Sequence, residues 1–457
     1  MAKEERQFTE PEVVTEARKS LDAKVDALAP RMIEMSDWIY QNPEAGFLEF
    51  KAAELLVEEL KRHDFEVEMG APGLEKAWPE FDRLKYVGGL SKSYDGKPYL
   101  PTAFRAKYKG KNERPVIVIL VEYDALRGDP PFHGCQHNMQ GPTGIGVAVA
   151  LAETLEEKGF PGSMWVIGAP AEEIGPPTKA ALARAGMLDG VDFAMRTHGM
   201  ETRNETVRHP GGFSQMHIEQ MKYTFHGKSA HAARAWGGTS ALDPVLLLLH
   251  GVEMLREHSE PQFRFHWTIT DAGVAPNIVP QMASVVIWVR HFIDKTRDGN
   301  VSPRRAKEMI DAKAQQVDRL SKAMADGTGT TVDIDHYGSY IPGISVGAFN
   351  DVVYDYSLEY GGVNPTESPV PQDWEETGFM TIRVPGVQVA VGTEGINPPQ
   401  EGHSQASADY SCTPEGHKSL VHTMKVMAAV GLRVMMDKET QQKIKDEHST
   451  WVSKYNE

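Results

Sequence analysis

The run Val116-Ile117-Val118-Ile119-Leu120-Val121 is apolar, mostly β-branched and bounded by polar and turn residues. A short run of this kind reads as a buried parallel strand. Polar chemistry begins where it ends, with Glu122, Asp124, His133, Cys135, His137 and Asn138 in the segment EYDALRGDPPFHGCQHN. In open α/β sheets ligands bind outside the carboxyl ends of strands. A Cys and a His two residues apart at such an end can face one metal ion. Taken alone, the stretch fits a buried thiol beside two surface histidines equally well.

The flanking chain supplies the sheet. Helical periodicity runs from about Pro11 to Tyr40 and again from Leu48 to His63, and Phe65 to Met69 alternates like a strand. The irregular segment Gly73 to Leu100, with Trp78, Phe81, Tyr86, Tyr94 and Tyr99, reads as an insertion whose aromatics either pack it down or line a pocket. Thr102 to Tyr108 is a strand beside Val116 to Val121. Gly141 to Glu157 is a Gly- and Ala-rich helix suited to close packing on a sheet. Ser163 to Gly168 delivers Glu172 and Glu173, and Asp192 to Thr197 delivers His198. Strand alternating with helix predicts an α/β fold, a mainly parallel sheet with helices on both faces. The character changes at Gly211-Gly212, after which strands and helices follow the order β-α-β-β-α-β, the split βαβ unit. We therefore divide the chain into 1–211, an inserted 212–341, and 342–457, where the first domain resumes with a helix, a strand, His403 and a last helix, Pro414 to Met436.

Composition excludes several classes. A formal charge of -16 argues against a nucleic-acid partner. Two cysteines, Cys135 and Cys412, cannot form a disulfide framework and suit a reducing compartment. The N-terminal segment is charged, and the longest aliphatic run, Val245 to Leu249, is far short of a membrane span. A cytoplasmic protein without a membrane partner is expected.

Cys135, His137, Glu173, His198 and His403 are each followed or preceded by strand signals, which makes a shared site more economical than separate surface residues. Of the adjacent carboxylates, Glu173 can bind metal, leaving Glu172 to take a proton from the water that the metal activates. A thiolate can bridge two ions that together polarise a carbonyl. The set predicts metal-assisted hydrolysis, most plausibly of a C–N bond.

These residues lie in segments that resemble the M20 metallopeptidase family, in its amidohydrolase branch of N-acyl-amino-acid, indole-acetyl-amino-acid and aminobenzoyl-glutamate hydrolases. The matching pieces are IYQNPEAGFLEFKAAELL, EYDAL, HGCQHN, GAPAEE, AGMLDGVDFAMRTHG, FHGKSAHAA, SALDP, TITDAGVAPNIVP and EGHSQAS, from about Ile39 to Leu420. The resemblance implies that Cys135, His137, Glu173, His198 and His403 are metal ligands and Glu172 the general base. It implies that His231 reaches a neighbouring subunit's site and polarises the scissile carbonyl. Asn277 and Arg290 would contact substrate, Arg290 by gripping a carboxylate. It also implies two divalent ions per subunit and a homodimer formed through the inserted domain. Softness favours Zn²⁺, whereas the resembled branch is often active with Mn²⁺.

Three departures stand out: Gln136 where the branch has Gly in HxCGHN, the stiff Ile174-Gly175-Pro176-Pro177 where it has a glycine-rich loop, and the Gly73–Leu100 insertion. Gln136 is expected to reshape the pocket or add a hydrogen bond. The leading expectation is a metal-dependent amidohydrolase acting on an N-acyl or N-aroyl amino acid. Its rivals are hydrolytic deamination of an aromatic amine of the substituted anthranilate type, and a non-catalytic relative that binds a small molecule.

Overall fold

The computed structural model describes residues 8–71, 100–109, 113–173, 178–198, 204–214, 216–292, 302–372, 377–399 and 402–455. Most of the 73–100 insertion and the whole of the 174–177 loop fall outside them. The chain divides into two compact units, residues 1–212 with 343–452, and residues 213–342 with 453–457.

In the first unit, α1 (Glu12–Gln41) and α2 (Phe50–Arg62) precede β1 (Phe65–Met69), β2 (Phe104–Tyr108) and β3 (Val116–Val121). The third helix, α3 (His137–Lys158), starts at His137, four residues earlier than its Gly- and Ala-rich composition suggests. It is followed by β4 (Ser163–Gly168), α4 (Thr178–Arg184) and β5 (Phe193–Thr197). All six residues of β3 are buried because helices cover both faces of the sheet. On one face, Val118 and Leu120 share a core with Ala181, Leu182 and Ala183 of α4. On the other, a Cβ added at Gly144 of α3 would lie 2.4 Å from Val121 Cγ1. Glycine there is what lets the helix axis approach the strand.

The second unit contains β6 (Met216–His226), α5 (Leu242–Glu257), β7 (Phe263–Asp271), β8 (Met282–Phe292), α6 (Pro303–Thr328) and β9 (Thr331–Tyr340). Its sheet has the order β9-β6-β8-β7 and every pairing is antiparallel. Residues of odd number on β6 and β8 (Met221, Tyr223, Phe225, Val285, Ile287, Val289) join Val245, Leu248 and Val252 of α5 and Ile310, Ala314 and Val317 of α6 in one core. That is the period of two expected when one sheet face is covered by helices.

A small polar cluster at this core predicts a pH dependence. Tyr223 donates to Asp318 Oδ1 at 2.7 Å, and His336 Nε2 lies 3.1 Å from Asp318 Oδ2. The bond to Asp318 raises the His336 pKa above its ordinary 6.5, although burial opposes it. The folded state then holds that proton more tightly than the unfolded chain does. Its contribution is complete below 6.5 and is lost as pH climbs through the raised value. Urea midpoints measured across this range are expected to fall with pH more steeply for the native chain than for Asp318→Asn. Equal slopes would remove His336 from the account.

The chain then returns to the first unit with α7 (Gly347–Glu359), β10 (Gly386–Val389), α8 (Gln405–Tyr410) and α9 (Pro414–Met436). A further helix, Lys438–Tyr455, follows the expected last one. The six-stranded sheet has the order β1-β2-β4-β3-β5-β10. Strands β4, β3, β5 and β10 are mutually parallel, while β2 is antiparallel to β4 and β1 to β2. Among the described residues, α9 alone is long and apolar enough to cross a membrane; 72% of its apolar window is buried within the protein, as in a core helix.

Candidate metal centre

Parallel strands end on the same sheet edge, so the residues after β3, β4 and β5 are brought together there. Cys135 and His137 arrive after β3, Glu172 and Glu173 after β4, and His198 directly after β5. His403, exposed, comes from the segment between β10 and α8. Cys135 Sγ is 3.5 Å from His198 Nε2 and 3.6 Å from His403 Nε2. His137 Nε2 is 3.8 Å from Glu172 Oε2 and 4.0 Å from Glu173 Oε1. Three sets of donor atoms each fall within 4.8 Å of one another: Cys135 with His137 and His198, Cys135 with Glu173 and His403, and His137 with Glu172 and Glu173. Cys135, His137 and Glu173 each belong to two sets, so the sets interlock as neighbouring cation positions would.

The donor set fits a cation. His137 Nε2 and Glu173 Oε1 are buried without a hydrogen-bond partner, and such atoms are costly to leave unsatisfied. Burial pushes the Glu173 carboxyl up to about 7, against the pull of His137 and with a further push from Asp124. Burial likewise pushes the Cys135 thiol up. A desolvated carboxyl and thiol side by side are what a divalent ion would convert to their anionic forms.

Residues around the donors orient them. Asp124 Oδ1 lies 3.0 Å from His137 Nδ1, and Asp124 Oδ2 accepts the Glu173 N–H at 3.0 Å. An Nδ1–H donated to Asp124 leaves the Nε2 lone pair for the cluster, and the same carboxylate anchors a donor from the next strand end. Behind them Glu122, Lys179 and Arg196 form a buried ionic cluster, with Lys179 on Glu122 Oε1 and Arg196 Nη1 3.2 Å from it. Burial alone would raise the Glu122 carboxyl, but Lys179 and Arg196 hold it well below the usual carboxylate range.

Gln136 and Ala171, beside donors, and the donor His403 have positive φ: 60°, 56° and 58° respectively. Left-handed backbone at such residues is strained and concentrates where geometry is over-determined. Ala171 is held by its N–H donating to the buried Glu49 Oε1 at 2.7 Å. Gln136 adds a hydrogen bond, from Nε2 to the Ser407 carbonyl at 2.9 Å. The added hydrogen bond of Gln136 was one of its two expected effects, but the other supporting roles could not be read from sequence: Lys179 and Arg196 look like ordinary surface cations, and Glu49 looks like a helix-start acid. The one signal was Asp124, close behind a strand end. His133 is buried and outside the donor sets, and burial lowers its pKa to about 3.

The second unit carries the remaining candidates. His231 is exposed, and its Nδ1 accepts the Ala233 N–H at 3.1 Å. His231 bridges Ile278, and Ala232 donates to the Asn277 carbonyl at 3.0 Å, so His231 and Asn277 share one tip. Arg290 is apart from them. It sits eight residues along β8 from Met282, the end nearest that tip, about 26 Å at ~3.3 Å per residue. Its guanidinium is 5.6 Å from the centre of the Trp288 ring.

The peptidase dimerisation domain of the M20 family matches residues 212–321. The chain is 30% identical to a subunit of the p-aminobenzoyl-glutamate hydrolase of Escherichia coli K12, over 70% of this chain and 60% of that protein. It therefore spans about three fifths of that relative's length. It is 28% identical to the Xaa-Arg dipeptidase of Mus musculus, over 74% of this chain and 75% of the relative. Among solved structures, a dinuclear metal-binding M20 peptidase from Bacillus subtilis shares the fold, with a TM-score of 0.53 and 19% identity over 89% of this chain and 99% of that one. Residues 212–321 thus carry the M20 peptidase dimerisation domain, and similarity to the hydrolase and dipeptidase relatives extends through most of the chain.

Proposed function

We propose that the protein is a metal-dependent hydrolase that cleaves the amide of an N-acyl or N-aroyl amino acid, with Glu172 as general base. One observation carries the reading: Glu172 Oε2 lies 3.8 Å from His137 Nε2 within a cluster of soft and hard metal donors, next to Glu173 at the same strand end. The name of the Escherichia coli relative supports an aroyl amino acid as the substrate class. Cys135, His137, Glu173, His198 and His403 would hold two divalent ions, Zn²⁺ or Mn²⁺, whose chemistry when bound is to polarise the scissile carbonyl and to acidify water.

The chain's own groups do the rest. Glu172 takes a proton from the attacking water and returns it to the leaving nitrogen. His231 has Nδ1 committed as an acceptor from Ala233, so a neutral ring carries its proton on Nε2 and can donate to the carbonyl oxygen. Asn277 adds a polar contact beside it, and Arg290 grips a carboxylate.

The separation within the second unit supports a homodimer. The His231–Asn277 tip and Arg290 of one copy are too far apart to touch one small molecule, but two copies can supply them from opposite sides. Leu246, Leu247 and Met254 on α5 and Trp267 on the edge strand β7 are exposed, an apolar surface with an open strand edge suited to a second copy.

The test is a product assay on metal-loaded protein with N-acyl amino acids, aminobenzoyl-glutamate and substituted anthranilates, reading free amino acid and free ammonia separately. Release of an amino acid that stops with chelator and returns with added Zn²⁺ or Mn²⁺ is expected. Ammonia with a hydroxylated aromatic product would replace this reading by deamination, and no turnover at full metal content would replace it by a binding role.

A further inference from the structure

Two side-chain amides flank His137 and both reach one short helix. Gln136 Nε2 donates to the Ser407 carbonyl at 2.9 Å and lies 3.2 Å from Ser407 Oγ. Asn138 Nδ2 donates to Ser411 Oγ at 2.9 Å and also lies 3.2 Å from Ser36 Oγ. Ser407 and Ser411 are four residues apart, so they share a face of α8 and its C-terminal cap. A carbonyl only accepts, so the nitrogen of Gln136 is the atom that faces it. The start of α8 is tied to His403: Ser404 Oγ accepts the Ser407 N–H at 3.1 Å, and His403 is the residue before Ser404. His403 itself is exposed and left-handed, φ 58°.

Gln136 also occupies a left-handed position, φ 60°, that glycine would take without strain. A strained, buried glutamine in place of a relaxed glycine has a side chain with a task, and its donor atom is spent on α8.

Building on the two-ion reading above, we propose that Gln136 and Asn138 form a two-point amide clasp on α8 that sets the position of His403, and so the ion affinity of the Cys135–Glu173–His403 set alone. Among the donor sets, His403 belongs only to that one. Gln136 is thus a positioning residue: it belongs to none of the donor sets and acts through α8. It is also selective, because slack in α8 leaves His198 and Glu172 where they are.

The experiment titrates Zn²⁺ into metal-free full-length protein against a chromophoric chelator and follows the thermal midpoint of the metal-free form. The native chain is expected to take up two ions in two steps. In Gln136→Gly one step weakens by about 10- to 100-fold, the usual cost of losing a group that orients a ligand, and the other stays put. The metal-free midpoint of Gln136→Gly is equal to or above the native one, since glycine relieves the left-handed strain. Gln136→Ala shows the same ion shift with a lower midpoint, because it keeps the strain and loses the clasp. Both steps unchanged in Gln136→Gly, or both weakened together with a falling midpoint, would overturn the clasp. A native chain that binds one ion would overturn the two-ion reading, and with it the selectivity claimed for the clasp.

Discussion

Glu172→Gln is expected to lower kcat by about 10²- to 10⁴-fold, the usual worth of a positioned general base, while metal content and folding stay as they are. The amide keeps the size of the carboxylate and cannot accept the proton of water. Glu172 and Glu173 leave the same strand end, Asp124 Oδ2 accepts the Glu173 N–H, and Glu173 is shared by two donor sets where Glu172 enters one. That asymmetry supports the proposed division, with Glu173 as ligand and Glu172 as base. Because the lost interaction is made in the transition state, kcat and kcat/KM should fall together. Metal analysis of the purified variant separates the roles. Loss of one ion would make Glu172 a ligand, and unchanged turnover would end its assignment as base.

Glu122→Gln is expected to destabilise the first unit by roughly 3–5 kcal/mol, the typical cost of breaking a buried ion pair from one side. Glu122, Lys179 and Arg196 are each 1% exposed or less, so the remaining cations would have no bulk water to turn to. The triple replacement Glu122→Leu, Lys179→Met, Arg196→Leu should recover much of that loss, since removing every charge also removes the desolvation cost. Denaturant unfolding of the metal-free protein measures both. A Glu122→Gln loss below about 1 kcal/mol would mean the cluster behaves as an exposed one. The cluster matters to the site through position: Glu122 Oε2 lies 3.5 Å from His137 Nε2, so a shift of Glu122 would move a candidate ligand.

Local pattern carried far into this fold. The β3 run, the Gly- and Ala-rich helix behind it and the β-α-β-β-α-β order of the second unit are short-range signals, and each corresponds to an observed element. Cys135, His137, Glu172, Glu173 and His198 all sit near a strand end or helix start, and a parallel sheet gathers such ends on one edge. Helix starts were less legible. Gln136 in the left-handed region lets α3 begin at His137, and backbone dihedrals of that kind leave no mark in hydrophobic periodicity.

Residue order dictated which strands are buried, which residue types stand at their ends, and hence that borderline metal donors and paired carboxylates would collect at one sheet edge. The remaining features exist only in the folded chain. Folding brings His403 to Cys135 across 268 positions of sequence. It commits Asp124 to orienting His137 and Glu173, buries Lys179 and Arg196 against Glu122, and separates Arg290 from the His231 tip. The physical reason is range. Propensity and periodicity act over a few residues, whereas the pairing of a buried charge, the direction of a lone pair and the strain at Gln136 depend on atoms that only folding brings within bonding distance.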